Sequence, residues 1–317
     1  MILKVLVINP VSIAGRLIVS SISDGLRQNS LVDVDLFFYD ELTQDNIEQV
    51  LTQDYDLIVG YDFSPLKIKV DYSLSARCLC YFADNICSKT SGPEWEKYYK
   101  YLYCEDVYTF FWDEQMISQY DFKNLWYLPQ FVNFEVYKPL AIEPKFDVIF
   151  AGRLDTDIRL NTFVNLMLEL PDLKFAWYAI ERHYKDALNR TEHKALIEKA
   201  WQGFIDNEPD MAKATNEAKL GFTINAQGLS SLNYRTIQTI ACKRLIISDE
   251  RDEAKLYNGN LPCWNDFEDL KQKIRFYLSN PQEYNKTVEA CYTIGRKNHH
   301  SKENVGFMLK KILVSNA

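Results

Sequence analysis

The sequence is poor in glycine and histidine and has no excess of basic residues. Its 317 residues include 11 Gly and 4 His, and 36 Lys and Arg stand against 44 Asp and Glu. The net charge of −8 disfavours nucleic acid as a partner, because non-specific binding to it needs a basic surface. Gly15 stands alone after the first apolar run. A dinucleotide site needs three spaced glycines there, so a nicotinamide-dependent enzyme is disfavoured.

Metal-ligand spacings and membrane-length segments are also missing. The seven cysteines form no Cys-x-x-Cys pair, and their odd number predicts reduced thiols rather than a metal site. The apolar run at residues 1–8 is too short to cross a bilayer and lacks the basic region and cleavage site of a signal peptide. We therefore expect a strand there, and a cytoplasmic protein with at most peripheral membrane contact. The sequence does not indicate an oligomeric state.

Short apolar runs alternate with helical patterns along the whole chain, which predicts an α/β fold with parallel sheets. The length and the 47% hydrophobic content suit two domains of about 150 residues each. A stretch around Pro129 and Pro139 lacks periodicity and marks the boundary between them. We predict a first domain over residues 1–140, a second over 141–300, and a C-terminal helix over 301–317 that packs back on the first.

Residues 216–249 contain strand, loop, helix and strand in close succession. An apolar run at 220–224 leads into a polar loop, a helix begins near Asn233, and the next strand follows at 245–247. Ligands of such units bind at the carboxyl ends of the strands. Helix N–H groups and the guanidinium of Arg235 would then face the ligand, so an anion is expected.

Further local predictions concern both domains. Residues 43–52 and 187–200 each carry a helical pattern, and a short strand is expected at 201–205. The Asp155-Thr-Asp157 segment opens a helix, so a capping role is favoured over metal binding. Asp84 follows a predicted strand, where it is a candidate site residue, although a turn or helix cap would use the same residue type.

Several segments are similar to those of a known family. Four segments resemble those of the two-Rossmann-domain (GT-B type) glycosyltransferases: residues 128–139, residues 147–152 with the later Arg159, residues 231–235 and residues 241–249. Within them the resemblance is to the spore-maturation-protein (CgeB-like) group. A further family segment is matched by Gly203, Glu208, Lys219 and Asn225.

The resemblance implies two Rossmann-like domains facing a central cleft and a glycosyltransferase without a metal. Its donor would be a nucleotide sugar, which is a co-substrate rather than a cofactor, and its acceptor a glycan, a lipid-linked group or a protein. Arg235 would neutralise the leaving diphosphate and Asp84 would act as the base toward the acceptor, which Gly15 would help to bind. The donor-binding residues would be Gly152, Arg153, Arg159, Asn225, Ser231, Asn233, Arg235 and Gln238.

Two residues depart from the family pattern. Gln238 stands where the family has a glutamate that accepts hydrogen bonds from the donor ribose, and Lys243 stands where it has a glycine at a helix end. An amide keeps one acceptor but no charge, so a glutamate facing the ribose would bind the donor more tightly. These departures motivate an alternative, a non-catalytic binding or scaffold protein. His299 and His300 match a family histidine before the last helix, where a structural role at a hinge between domains is expected.

Overall fold

A computed structural model describes residues 2–9, 13–30, 32–38, 47, 53–82, 95–224 and 230–314. The chain forms two compact units, one of Met1–Asn133 with Asn298–Ala317 and the other of Phe134–Lys297. Each unit contains a parallel sheet, so the predicted α/β fold with two parallel sheets is confirmed. Asp84, Asn225 and, apart from residue 47, the helix predicted at 43–52 lie outside the described residues.

Strands and helices alternate through both units, as the sequence pattern predicts. The strands are β1 Leu3–Asn9, β2 Val32–Phe38, β3 Leu57–Tyr61, β4 Arg77–Phe82, β5 Val107–Phe111, β6 Leu125–Tyr127, β7 Phe146–Ala151, β8 Phe175–Tyr178, β9 Ala218–Phe222, β10 Leu245–Asp249 and β11 Cys263–Trp264. The helices are α1 Ile13–Arg27, α2 Ser64–Asp71, α3 Trp95–Tyr99, α4 Glu114–Ile117, α5 Asp157–Glu169, α6 Glu181–Arg190, α7 Lys194–Ala200, α8 Glu208–Asn216, α9 Tyr234–Ala241, α10 Phe267–Ser279, α11 Pro281–His299 and α12 Ser301–Val314. Two 3₁₀ helices span Lys100–Tyr103 and Asp252–Tyr257.

The first sheet has the strand order β2-β1-β3-β4-β5-β6. Its inner strands are nearly continuous apolar runs because both faces are covered, and Val5 and Ile58 are fully buried. At the end of β3, Gly60 pairs with Ile8, and a Cβ at Gly60 would lie 2.9 Å from the Ile8 carbonyl oxygen. The close approach of β1 and β3 therefore requires a glycine. β1 and β3 are parallel, but the order in which successive strands are added to the sheet reverses between them, which makes their carboxyl ends the switch point of the sheet.

The second sheet has the order β11-β10-β9-β7-β8, and its neighbouring strands are parallel. An aromatic core joins it to α5. The rings of Phe150 and Phe222 stack with centroids 5.2 Å apart, and Phe163 of α5 packs against both. The order in which successive strands are added to the sheet reverses between β7 and β9, so the switch point lies at the carboxyl ends of these strands.

The segments that leave and re-enter the first unit lie side by side. Val132 and His300 form a parallel bridge, in which the Val132 N–H donates to the His299 carbonyl at 3.0 Å. The chain then enters α12, which packs on α1. A Cβ on Gly25 of α1 would lie 2.6 Å from the Val305 side chain, so the two helices touch closely at this glycine.

The single helix predicted over residues 187–200 is wrong, because α6 ends at Arg190 and α7 begins at Lys194. Thr191 between them has an extended backbone, and its hydroxyl accepts the His193 N–H at 3.1 Å. A side chain that bonds to nearby backbone in this way competes with helical hydrogen bonding. In place of the short strand predicted at 201–205, the described residues there form one isolated parallel bridge, between Trp201 and Trp177.

Candidate functional site

Gly152, Arg153 and Arg159, three of the predicted donor residues, lie close to the switch point of the second sheet. Gly152 and Arg153 directly follow β7, and Arg159 lies in the first turn of α5. The Arg159 Nε donates to the Ile224 carbonyl at 2.9 Å, just beyond the end of β9. Arg159 therefore joins the start of α5 to the backbone that leads into residues 225–229. The Gly152 carbonyl accepts the indole N–H of Trp177 at 2.9 Å, which fixes the turn after β7.

The Asp155-Thr-Asp157 segment organises these arginines. Asp155 accepts from Arg159 Nη1 at 3.1 Å and forms an ion pair with Arg153 Nε at 3.3 Å. Thr156 is the cap of α5, its hydroxyl accepting the Arg159 N–H at 3.4 Å, so the segment caps a helix as predicted. The Arg159 side chain is 16% exposed and that of Arg153 is 52% exposed. Arg153 is thus the more accessible cation of the two.

A carboxylate that the sequence patterns did not indicate holds the segment before α9. Glu253, which is buried, accepts the Leu232 N–H at 2.5 Å, and its own N–H donates to the Ser230 carbonyl at 3.1 Å. Ser231 between them is buried. Asn233 caps α9, its side-chain oxygen accepting the Thr236 N–H at 3.0 Å, so the helix start predicted near Asn233 is confirmed.

Arg235 belongs to a group of electrostatically coupled side chains that we call the Arg235 cluster, made of Tyr137, Glu208, Tyr234, Arg235 and Gln238 and held by two separate sets of hydrogen bonds. Arg235 Nη1 donates to Gln238 Oε1 at 2.6 Å, and Gln238 Nε2 donates to the Tyr137 hydroxyl. The Tyr234 hydroxyl donates to Glu208 at 3.1 Å. Tyr137, Gln238 and Glu208 are buried, whereas Arg235 is partly buried. Tyr137 and Glu208 come from distant segments, so sequence reasoning did not place them here.

The electrostatics of this cluster favour an anionic ligand. Burial lowers the pKa of the Arg235 guanidinium, and burial together with the Glu208 charge raises the pKa of Tyr137. Within the described parts of the chain, no carboxylate forms an ion pair with Arg235. A cation removed from water without a counter-ion is costly, and an anion bound beside it would offset that cost.

The first unit presents a different set of polar groups. Gly15 is buried near the start of α1, and Asp84 lies outside the described residues. At the switch point of the first sheet, Asn9 ends β1 with 5% exposure, and Asp62 follows β3 with a left-handed φ of 57°. Sequence reasoning missed both, because the strand order that makes this edge a switch point cannot be read from apolar runs alone.

The paired histidines have a structural setting. His299 is fully buried, its Nδ1 lies 2.8 Å from the Gln130 carbonyl oxygen, and burial lowers its pKa to about 4. It is therefore neutral at pH 7. The His300 Nδ1 accepts the Lys302 N–H at 3.2 Å at the start of α12. Both side chains thus brace the junction of α11 and α12.

Comparison with protein families gives one match, over residues 160–310, to a family described as glycosyl transferase-like. No curated protein matches the sequence. None of the helices in the described ranges has the length and apolar character needed to span a membrane.

Solved glycosyltransferase structures are similar over nearly the whole chain. HepE of Anabaena, solved with UDP and glucose, has a TM-score of 0.73 and 10% identity, and the likeness covers 98% of this chain and 99% of that one. An alpha-glucosyltransferase in complex with UDP and a 13-mer DNA containing a HMU base has a TM-score of 0.72 and 12% identity, over 99% of this chain and all of that one. A glycosyltransferase from Rickettsia africae ESF-5 has a TM-score of 0.69 and 13% identity, over 99% and 98%.

These comparisons confirm the resemblance at its broad level. The chain has the fold of the GT-B glycosyltransferases, and its second half resembles a glycosyl transferase family in sequence. The narrower likeness to the CgeB-like group is not confirmed by them.

Proposed function

We propose that this protein is a glycosyltransferase that moves a sugar from a nucleotide-sugar donor to a glycan, a lipid-linked group or a protein. The observation that carries the proposal is the Arg235 guanidinium, which has no carboxylate partner in the described parts of the chain. Arg235 is the second residue of the helix capped by Asn233. A diphosphate suits this arrangement of cation and helix N–H groups. The family match and the likeness to structures that hold UDP or UDP-glucose support it.

Sugar transfer asks the protein to stabilise the negative charge that develops on the leaving diphosphate. In this proposal Arg235 and the N–H groups of α9 do so, and Arg153 and Arg159 add positive charge from the other strand end of the switch point. Gly152, Asn225, Ser231, Asn233 and Gln238 complete the donor site. Neither a metal nor a further cofactor takes part, and the nucleotide sugar serves as a co-substrate.

The roles proposed for acceptor binding follow from the chemistry of two residues. Asp84 would take the proton from the acceptor hydroxyl as that oxygen attacks the sugar, and Gly15 would allow close approach of the acceptor. The net charge of −8 favours an uncharged or sugar acceptor over a nucleic acid.

Thermal melting with added ligand tests the proposal. A ligand that binds only the folded chain at a hundred times its Kd stabilises it by about 2.7 kcal/mol, so UDP or GDP should raise the melting temperature and NAD should not. Turnover is then followed with purified protein across a panel of nucleotide sugars. Equal shifts with NAD and UDP would contradict the proposal, and binding without turnover of any donor would favour the non-catalytic alternative.

A further inference from the structure

Gln238 is held in one orientation by two different partners. Its Oε1 accepts from Arg235 Nη1 at 2.6 Å, and its Nε2 donates to the Tyr137 hydroxyl. A guanidinium can only donate, so the carbonyl end of the amide must face Arg235 and the NH₂ end must face the tyrosine. Since Tyr137 and Gln238 are both buried, the tyrosine hydroxyl anchors the amide and the amide anchors the guanidinium.

This anchoring leaves the charge of Arg235 uncancelled. The amide is neutral, and the carboxylate of the cluster, Glu208, accepts from the Tyr234 hydroxyl instead. Its charge acts on Tyr137, where it raises the pKa of the phenol. In the described parts of the chain, Arg235 therefore has an orienting partner without having a neutralising one.

We propose that Tyr137 and Gln238 are positioning residues that aim the Arg235 guanidinium at the diphosphate of the donor, and that the neutral amide keeps its full charge for that ligand. The inference rests on the proposed function. It implies that a carboxylate at position 238 would form an ion pair with Arg235 three residues earlier on the same helix, and would compete with the diphosphate.

This reverses the effect expected if residue 238 faces the ribose. There, Gln238→Glu adds a charge-assisted hydrogen bond to the ligand and tightens binding. Here the same substitution cancels the cation that binds the ligand. The two interpretations thus predict opposite signs for one nearly isosteric change.

The test is calorimetric titration of UDP and of inorganic pyrophosphate into the wild type, Gln238→Glu, Tyr137→Phe and Gln282→Glu. Gln282 is exposed in the first turn of α11, so Gln282→Glu adds the same charge away from the cluster and should leave both affinities unchanged. Gln238→Glu should weaken both ligands at least tenfold and reduce the salt dependence of their binding. It should also raise the melting temperature of the ligand-free protein, because the new carboxylate neutralises Arg235.

Tyr137→Phe keeps every charge and removes only the anchor. Binding of both ligands should weaken several-fold while its salt dependence stays that of the wild type, a pattern that general loss of structure would not produce. If Gln238→Glu binds UDP as tightly as the wild type or more tightly, the inference is overturned while the proposed function stands. If the wild type binds neither ligand, the proposed function fails and the inference falls with it.

Discussion

Two helical glycines of the first unit should respond to alanine with opposite signs. Gly25 lies in α1, where an added Cβ would meet Val305 Cγ2 at 2.6 Å and the Ser301 carbonyl oxygen at 2.7 Å. Gly306 lies in α12, where an added Cβ would meet nothing within 4 Å. The two sites share one helix pair, so they form a matched comparison.

The magnitudes follow from two competing terms. Alanine is favoured over glycine by up to about 1 kcal/mol inside a helix, and Gly306→Ala should gain about that much free energy of unfolding. At Gly25 the same gain is opposed by overpacking, which typically costs about 1–3 kcal/mol. The Ser301 oxygen is backbone and cannot rotate away, so α12 would have to shift. Because one of the contacts is with backbone, the cost should exceed the lower end of that range, and we expect a net loss of about 1–2 kcal/mol for Gly25→Ala.

Urea denaturation of the wild type and both variants measures the effect, with the midpoint read at an unchanged m-value. Both substitutions act on the same unit, so a second transition from the other unit would not distort the comparison. A Gly25→Ala protein as stable as the wild type would refute the close packing of α1 on α12.

Three further predictions concern single residues. Arg235→Ala should lower turnover by about 10²-fold with little change in melting temperature. Unchanged steady-state activity would indicate that the phosphates bind at Arg153 or Arg159 instead. Lys243→Gly should stabilise the protein by about 1 kcal/mol in a Glu289→Ala background, because Lys243 has a left-handed φ of 51° that favours glycine. The gain should be smaller in the wild type, where Lys243 pairs with Glu289 at 2.8 Å. An unchanged urea midpoint in the Glu289→Ala background would argue against backbone strain at Lys243. His299 has a pKa near 4 when folded and an ordinary value of 6.5 when unfolded. The unfolded chain therefore binds the proton first, so stability should fall by about 3 kcal/mol as the pH drops from 6.5 to 4, and His299→Gln should flatten that part of the pH profile measured by denaturation.

The parallel sheets were predictable because strands that are covered on both faces have nearly uninterrupted apolar sequences, as β1 and β7 do. The cap at Asn233 was predictable because capping is a local interaction. The break between α6 and α7 was not, since a helical pattern continues through Thr191 and one hydroxyl bond decides the matter. Long-range partners were also beyond reach, and Tyr137 lies 101 residues before the amide that it anchors.

Gln238 and Lys243, the two departures from the family pattern, have different physical effects, although Gln238 lies in α9 and Lys243 just after it. Lys243 takes the left-handed conformation that favours glycine, and the helix still closes normally, with the Lys243 N–H donating to the Ile240 carbonyl and the Arg244 N–H to the Thr239 carbonyl. Its ammonium group lies 4.6 Å from the centre of the Tyr292 ring and pairs with Glu289, so these contacts of Lys243 bear on stability. Gln238, by contrast, changes the charge beside Arg235. The hydrogen bonds by which Tyr137 and Gln238 hold Arg235 in place without cancelling its charge favour a retained donor site over a scaffold that has lost it.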